Sequence, residues 1–295
     1  MVEKELNKEL NIGRHMLYTE WYSRDVGGLF MKINKHVYAA QSAYQRIDIF
    51  DSPFYGRVFS LDGITMTTER DEFMYHEMLV HVPMFMHPNP RKVLVIGGGD
   101  GGSIREILKH PSVEKAVLCE IDEMVVKAAM EHLPYTGSRL NDPKVELLYE
   151  DGAKFVRQFK EEFDVIIIDS TDPTAGEGGQ LFTVDFYKAC SEALKKDGIL
   201  SAQTEGIMYD YEWGTTAYKR IKEAFPLVRL YLGFMPTYPG GMWSYTYASK
   251  SGLDPIGSFD VDRVRNFKEP LRYYNEEIHK AAFALPNFVK KLIEE

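Results

Sequence analysis

Five glycines crowd into six residues at Gly97-Gly98-Gly99-Asp100-Gly101-Gly102, directly after the apolar run Val93-Leu94-Val95-Ile96. Gly97, Gly99 and Gly102 fit the G-x-G-x-x-G spacing, which lets backbone amides approach a ligand where a strand turns into a helix. Many nucleotide-binding sheets carry such a turn; Asp100 inside it narrows the choice. The pyrophosphate of a dinucleotide would meet that carboxylate and be repelled, whereas an S-adenosyl-type sulfonium ligand brings an ammonium there and is attracted. A nicotinamide dehydrogenase is therefore disfavoured.

More acids follow at the ends of apolar runs. Glu120 closes Ala116 to Glu120, about 20 residues past the loop, where an acid binds ribose hydroxyls; Asp122 can serve as the cap of the next helix. Glu150-Asp151-Gly152-Ala153 comes after the third run, and Asp151 with Gly152 can contact adenine or Asp151 can cap a helix. The strongest signal is Asp169, delivered by Val165-Ile166-Ile167-Ile168 into Asp169-Ser170-Thr171-Asp172-Pro173. An acid that ends a buried strand needs a partner, and ligands of such sheets bind beyond the carboxyl ends of the strands. Asp169 and Asp172 then project toward the crevice of Asp100 and Glu120. Residues 174–180 hold three glycines and read either as a lid over that crevice or as a plain connection.

His76-Glu77 invites a zinc reading, but the next histidine, His81, lies five residues on. Two ligands on one helix need a spacing of four. No metal is expected, and His81 reads as structural.

Alternating strands and helices from Arg91 onward must position these groups. Lys92–Ile96, Ala116–Glu120, Val145–Tyr149, Val165–Asp169 and Ile199–Gln203 read as buried strands. Helices are expected at Ser103–Lys109, Glu123–His132, Ala153–Phe159, Val184–Lys195 and Trp213–Phe225. That pattern implies an α/β fold with a parallel sheet covered on both faces. Val228–Phe234 and Met242–Ser249 add an antiparallel edge, and the tail from Asp262 reads as helical with a break at Pro286. Upstream, Met31 to Thr68 reads as a small antiparallel β region, with Tyr44 to Phe50 alternating like a half-buried strand and turns at Asp51-Ser52-Pro53 and Leu61-Asp62-Gly63. In Arg70 to Met86 the period changes, and Phe73, Met74, Met78, Leu79 and Val82 mark one apolar helix face. His87-Pro88-Asn89-Pro90 breaks that helix and reads as the link between the two regions. The domains are set at 1–70 and 71–295.

Composition excludes several classes. The 44 acids against 35 bases give a net charge of -9, which repels phosphate backbones and makes nucleic acid an unsuitable partner. Two cysteines, Cys119 and Cys190, exclude a disulfide framework and suit a reducing compartment. The first residues have no apolar core, and no apolar run spans a bilayer. A cytoplasmic protein without membrane contact is expected.

The motifs together resemble the spermidine synthase (polyamine aminopropyltransferase) family. The glycine loop followed by Ser-Ile-Arg-Glu-Ile, Cys119-Glu120-Ile121-Asp122 and Asp169-Ser170-Thr171-Asp172-Pro173 all carry the resemblance. So do Leu61-Asp62-Gly63, Asp71-Glu72-Phe73-Met74-Tyr75-His76-Glu77-Met78, His87-Pro88-Asn89-Pro90 and Pro236-Thr237-Tyr238-Pro239, in the family's order from about Gln41 to Phe288. The resemblance implies a Rossmann-like, S-adenosylmethionine-dependent methyltransferase-type sheet with a small N-terminal antiparallel β domain. It implies transfer of an aminopropyl group from decarboxylated S-adenosylmethionine to putrescine, without a permanently bound cofactor. It also implies a homodimer or homotetramer.

By the same resemblance, Gln45 and Glu120 hold the ribose and nearby atoms, Gly97 and Gly99 shape the loop, and Asp151 and Gly152 frame adenine. Asp100 and Asp172 grip the aminopropyl ammonium, while Tyr75 and His76 line the channel. Asp169 is the proton acceptor, Tyr238 orients the attacking amine, and Glu205 reaches the acceptor's distal amine. Family members usually have Gly-Pro after the Asp-Pro turn, whereas this chain has Pro173-Thr174-Ala175-Gly176. Agmatine or another amine is the alternative acceptor. A polyamine N-methyltransferase is disfavoured because Asp100 would repel the α-carboxylate of its donor, and a non-catalytic binding protein because Asp169 is retained.

Overall fold

The structure, a computed structural model, describes residues 16–22, 27–170 and 181–294. Asp172 and the segment 174–180 lie outside the described residues. Contacts divide the chain into two units that meet between Asp71 and Glu72.

The first unit is antiparallel throughout. Strands β1 (Met16–Trp21) and β2 (Gly28–Ile33) pair as a ribbon. Strands β3 (Lys35–Gln41), β4 (Arg46–Ser52), β5 (Gly56–Leu61) and β6 (Ile64–Thr68) form a meander in chain order. The β structure thus begins at Met16, upstream of the expected start at Met31. Ile47 and Ile49 are buried as the alternation requires, but Phe50 is buried on the opposite face, where it packs with Met31 and Val58 of the same unit. Both faces of β4 are therefore partly covered.

The second unit opens with α1 (Glu72–Met86) and continues through β7 (Lys92–Gly97), α2 (Gly102–Ile107), β8 (Lys115–Glu120), α3 (Glu123–His132), β9 (Val145–Tyr149), α4 (Gly152–Val156) and β10 (Phe163–Asp169). After the segment outside description come α5 (Val184–Ala193), β11 (Leu194–Gly206), α6 (Tyr211–Lys222), β12 (Leu227–Phe234) and β13 (Met242–Ser249). The seven-stranded sheet runs β12-β13-β11-β10-β7-β8-β9, and only its pairings with β13 are antiparallel. The interior strands are runs of Val, Ile and Leu because both faces are covered, and Leu94, Ile96, Ile166, Ile168 and Leu200 are fully buried in one core. The order reverses between β7 and β10, which opens a crevice at their carboxyl ends.

Three readings are corrected. Helix α1 is buried nearly all round rather than on one face, so its polar residues Glu72, His76, Glu77 and His81 are buried and must be paired. His87–Pro90 connects α1 to β7 inside the second unit and is no link between units. The tail is three short helices, α7 (Val261–Arg265), α8 (Glu276–Ala282) and α9 (Asn287–Glu294). Between α7 and α8 the chain is not helical, because the Glu77 carboxylate takes the backbone N–H groups of Arg272, Tyr273 and Tyr274 at 2.8 Å each.

Candidate active site

The glycine loop is built for close approach. Gly97 and Gly98 have φ of 79° and 69°, a left-handed backbone that side chains disfavour. The Gly98 N–H donates to the Asp169 carbonyl at 2.7 Å, and a Cβ on Gly97 would run into that same carbonyl. A Cβ on Gly102 would strike the His76 ring. Parallel register sets Asp169 beside Gly97, so the ends of β7 and β10 bring base and loop together.

The Asp169 carboxylate is held from two sides. The Tyr75 hydroxyl donates to Oδ1 at 2.7 Å and the Ser103 hydroxyl to Oδ2 at 2.6 Å. Burial and the neighbouring Asp100 push its pKa upward, while His76 and the two hydroxyls oppose the rise. Tyr75 sits well above the ordinary tyrosine value because of burial and Asp169, so it stays a donor.

His76 is 1 % exposed. Its Nδ1 lies 2.6 Å from Glu72 Oε2 and its Nε2 3.4 Å from Asp100 Oδ1. Burial disfavours the imidazolium, but Asp100 and Glu72 outweigh it and hold the pKa up to about 10. Glu72 is gripped through both oxygens by Arg105, at 2.9 Å each. Arg105 also reaches Glu106, which pairs with His81 at 2.8 Å, and His81 meets His110 at 2.9 Å. His81 is thus structural. Asp100 also accepts the Gly102 N–H at 2.9 Å.

His76, Asp100 and Asp169 each bring a donor atom within 4.8 Å of the others. A protonated imidazole offers a metal no lone pair, which leaves the two carboxylates alone as possible ligands. Two carboxylates beside a fixed cation are better matched to a small ammonium than to a metal ion.

On one flank, Tyr75 packs edge-on to Tyr238 (5.6 Å between ring centres) and Tyr238 to Trp243 (4.6 Å). Tyr245 completes the aromatic wall, 5.7 Å from Tyr75. Glu205 is buried at the bulged end of β11 with φ 67°, a conformation rare for a residue with a side chain and common at functional sites. Gln203 ties the two strand ends together: its amide donates to the Ser170 carbonyl at 2.9 Å and accepts the Glu205 N–H at 3.0 Å.

Glu120 ends β8, buried, and its carboxylate accepts the Asp122 N–H at 3.0 Å and abuts Gly99. Burial lifts its pKa to about 7 against the backbone bonds that stabilise the ion. Asp122 caps α3 through the Met124 N–H, and Asp151 caps α4 through Ala153 and Lys154. Gly152 packs so tightly that a Cβ would meet Ile96. Gln45 belongs to the first unit, in the Ser42–Gln45 turn between β3 and β4.

Tyr75, His76, Asp100 and Asp169 are therefore clustered, with Tyr238 packed on Tyr75. Sequence reading missed Ser103, Glu72, Arg105, Gln203 and Tyr245. Glu72, Ser103 and Arg105 lie within motifs that carry the resemblance, but nothing in their spacing marked them as site residues.

Comparison with known proteins bears on both units. Residues 72–256 match the spermine/spermidine synthase domain, and residues 16–69 match the spermidine synthase tetramerisation domain. Over 288 residues the chain is 62% identical to the polyamine aminopropyltransferases of Thermotoga maritima and Thermotoga neapolitana, covering 98% of this chain and 97% of each relative. It is 50% identical over 277 residues to the enzyme of the same name from Caldicellulosiruptor saccharolyticus, 94% of this chain and 98% of that protein. A crystal structure of spermidine synthase in complex with the transition-state analogue AdoDATO superposes with a TM-score of 0.94 at 62% identity, covering 95% of this chain and 96% of that one. The Thermotoga maritima spermidine synthase structure gives 0.91 at 59% identity, covering 95% of each chain.

Proposed function

Since the chain belongs to the spermine/spermidine synthase family and is an aminopropyltransferase, we propose that it moves the aminopropyl group of decarboxylated S-adenosylmethionine onto putrescine. The products are spermidine and methylthioadenosine. The carrying observation is the Asp169 carboxylate beside Asp100 at the switch point of the sheet, with a hydroxyl donor on each oxygen.

The reaction is a displacement in which a neutral amine attacks the methylene carbon beside a sulfonium. A free amine has a pKa near ~10, so most of it is protonated at neutral pH. Asp169 takes the proton as the C–N bond forms and the C–S bond breaks, and alignment of the two reactants supplies much of the remaining rate. Asp100 and Asp172 hold the aminopropyl ammonium, with His76 and Tyr75 along the channel. Tyr238 orients the attacking nitrogen and Glu205 receives the distal one. Glu120 binds the ribose side, Gly97 and Gly99 leave room for the donor, and Asp151 and Gly152 frame adenine.

The tetramerisation-domain match supports a homotetramer over a homodimer. Trp21 on β1 and Phe30 on β2, 69% and 74% exposed, are apolar surface suited to such an interface. No described helix is long and apolar enough to cross a membrane, which fits work in the cytoplasm on soluble amines.

The test is incubation with the decarboxylated donor and a panel of putrescine, agmatine, cadaverine and spermidine. Methylthioadenosine released in step with spermidine, fastest with putrescine, is expected. Preference for agmatine would reassign the acceptor, and S-adenosylhomocysteine formed from the carboxylated donor would reassign the reaction.

A further inference from the structure

We infer that Ser103 is a positioning residue for aminopropyl transfer: its hydroxyl locks the Asp169 carboxylate in one rotation and in its proton-accepting form. The inference rests on Asp169 being the proton acceptor.

Ser103 is fully buried at the second residue of α2 and donates to Asp169 Oδ2 at 2.6 Å, a length typical of a hydroxyl on a carboxylate. Its own helix has no use for that hydroxyl. Gly101 is the N-cap with no side-chain bond, and the Gly102 N–H is taken by Asp100. The Ser103 hydroxyl instead bridges to β10. Because Tyr75 holds Oδ1, the two donors together fix the plane of a carboxylate whose terminal torsion is otherwise broad.

Charge gives the second reason. Asp169 faces Tyr75 and His76 from α1, Asp100 from the glycine loop, Ser103 from α2 and Tyr245 from β13. Burial and Asp100 favour the protonated acid, which cannot take the amine's proton. His76, Ser103 and Tyr75 favour the ion. Ser103 and Tyr75 can each lose the hydrogen bond by removal of a single oxygen, with no change of charge, but Tyr75 also lines the channel and packs on Tyr238, so Ser103 is the cleaner probe.

The experiment is the pH profile of kcat/KM for the full chain with Ser103→Ala and Ser103→Cys, each first checked by thermal melting. The acid limb should move to higher pH by about one unit in Ser103→Ala, and by less in Ser103→Cys, which keeps a weak donor. At a fixed pH on that limb, Ser103→Ala loses roughly tenfold, and the loss shrinks toward the plateau. A purely structural serine would lower activity equally at every pH, so coincident limbs overturn the inference. Asp169→Asn, run alongside, separates the two failures. An undiminished Asp169→Asn rate strikes the proton-acceptor reading itself, whereas an inactive Asp169→Asn with unmoved serine limbs strikes only the role of Ser103.

Discussion

Replacing His76 with asparagine should flatten part of the protein's stability loss at alkaline pH. The imidazole is buried between Glu72 and Asp100, which raise its pKa from 6.5 to about 10 against the cost of burial. A group with a raised folded-state pKa contributes stability that is complete below its unfolded value and disappears as pH climbs through the folded one. The full contribution is on the order of 5 kcal/mol, and about 3 kcal/mol of it should vanish between pH 6.5 and 9. Asparagine is chosen because its amide can still donate to Glu72, which Arg105 holds at both oxygens in either protein. The assay is urea unfolding of both proteins from pH 6 to 9 at one protein concentration, because an oligomer's stability depends on concentration. The wild-type advantage should shrink steadily as pH rises. An advantage constant across that range would refute the imidazolium between two carboxylates.

Two further outcomes follow from buried acids. Glu77→Gln should lower unfolding stability by about 3 kcal/mol, because a neutral amide replaces a carboxylate that takes three consecutive backbone N–H groups of the tail; denaturant titration checks it, and a loss within measurement error contradicts it. Donor affinity should strengthen as pH rises through about 7, since the ribose hydroxyls need the ionised Glu120, and Glu120→Gln should erase that dependence in a binding titration.

Much of this site was legible because its positions follow from strand ends. Val93–Ile96 and Val165–Ile168 read as buried strands, their parallel pairing sets Gly97 beside Asp169, and five glycines mark the close approach. Helix α1 was the misleading element. Its apolar spacing suggested one covered face, yet Glu72 and His81 are buried because their partners Arg105 and Glu106 come from α2, and His76 because it lies between Glu72 and Asp100 of the glycine loop. No period within one helix reveals a partner some 25 to 33 residues away on another. Ser103 was hidden for the same reason: after a glycine loop a serine reads as a helix start, and only the fold shows its hydroxyl turned toward β10. His87–Pro90 looked like a boundary because two prolines stop the helix, although α1 has already entered the core of the second unit.

The idea beneath all of this is that carboxylates at the crevice select a donor whose sulfonium arm ends in a bare ammonium. Equilibrium binding of decarboxylated S-adenosylmethionine against the carboxyl-bearing parent, on the same unmodified protein, measures that selection. The decarboxylated donor should bind tighter by roughly a hundredfold, the parent's α-carboxylate being driven off by Asp100. Equal affinity, or a preference for the parent, would contradict it.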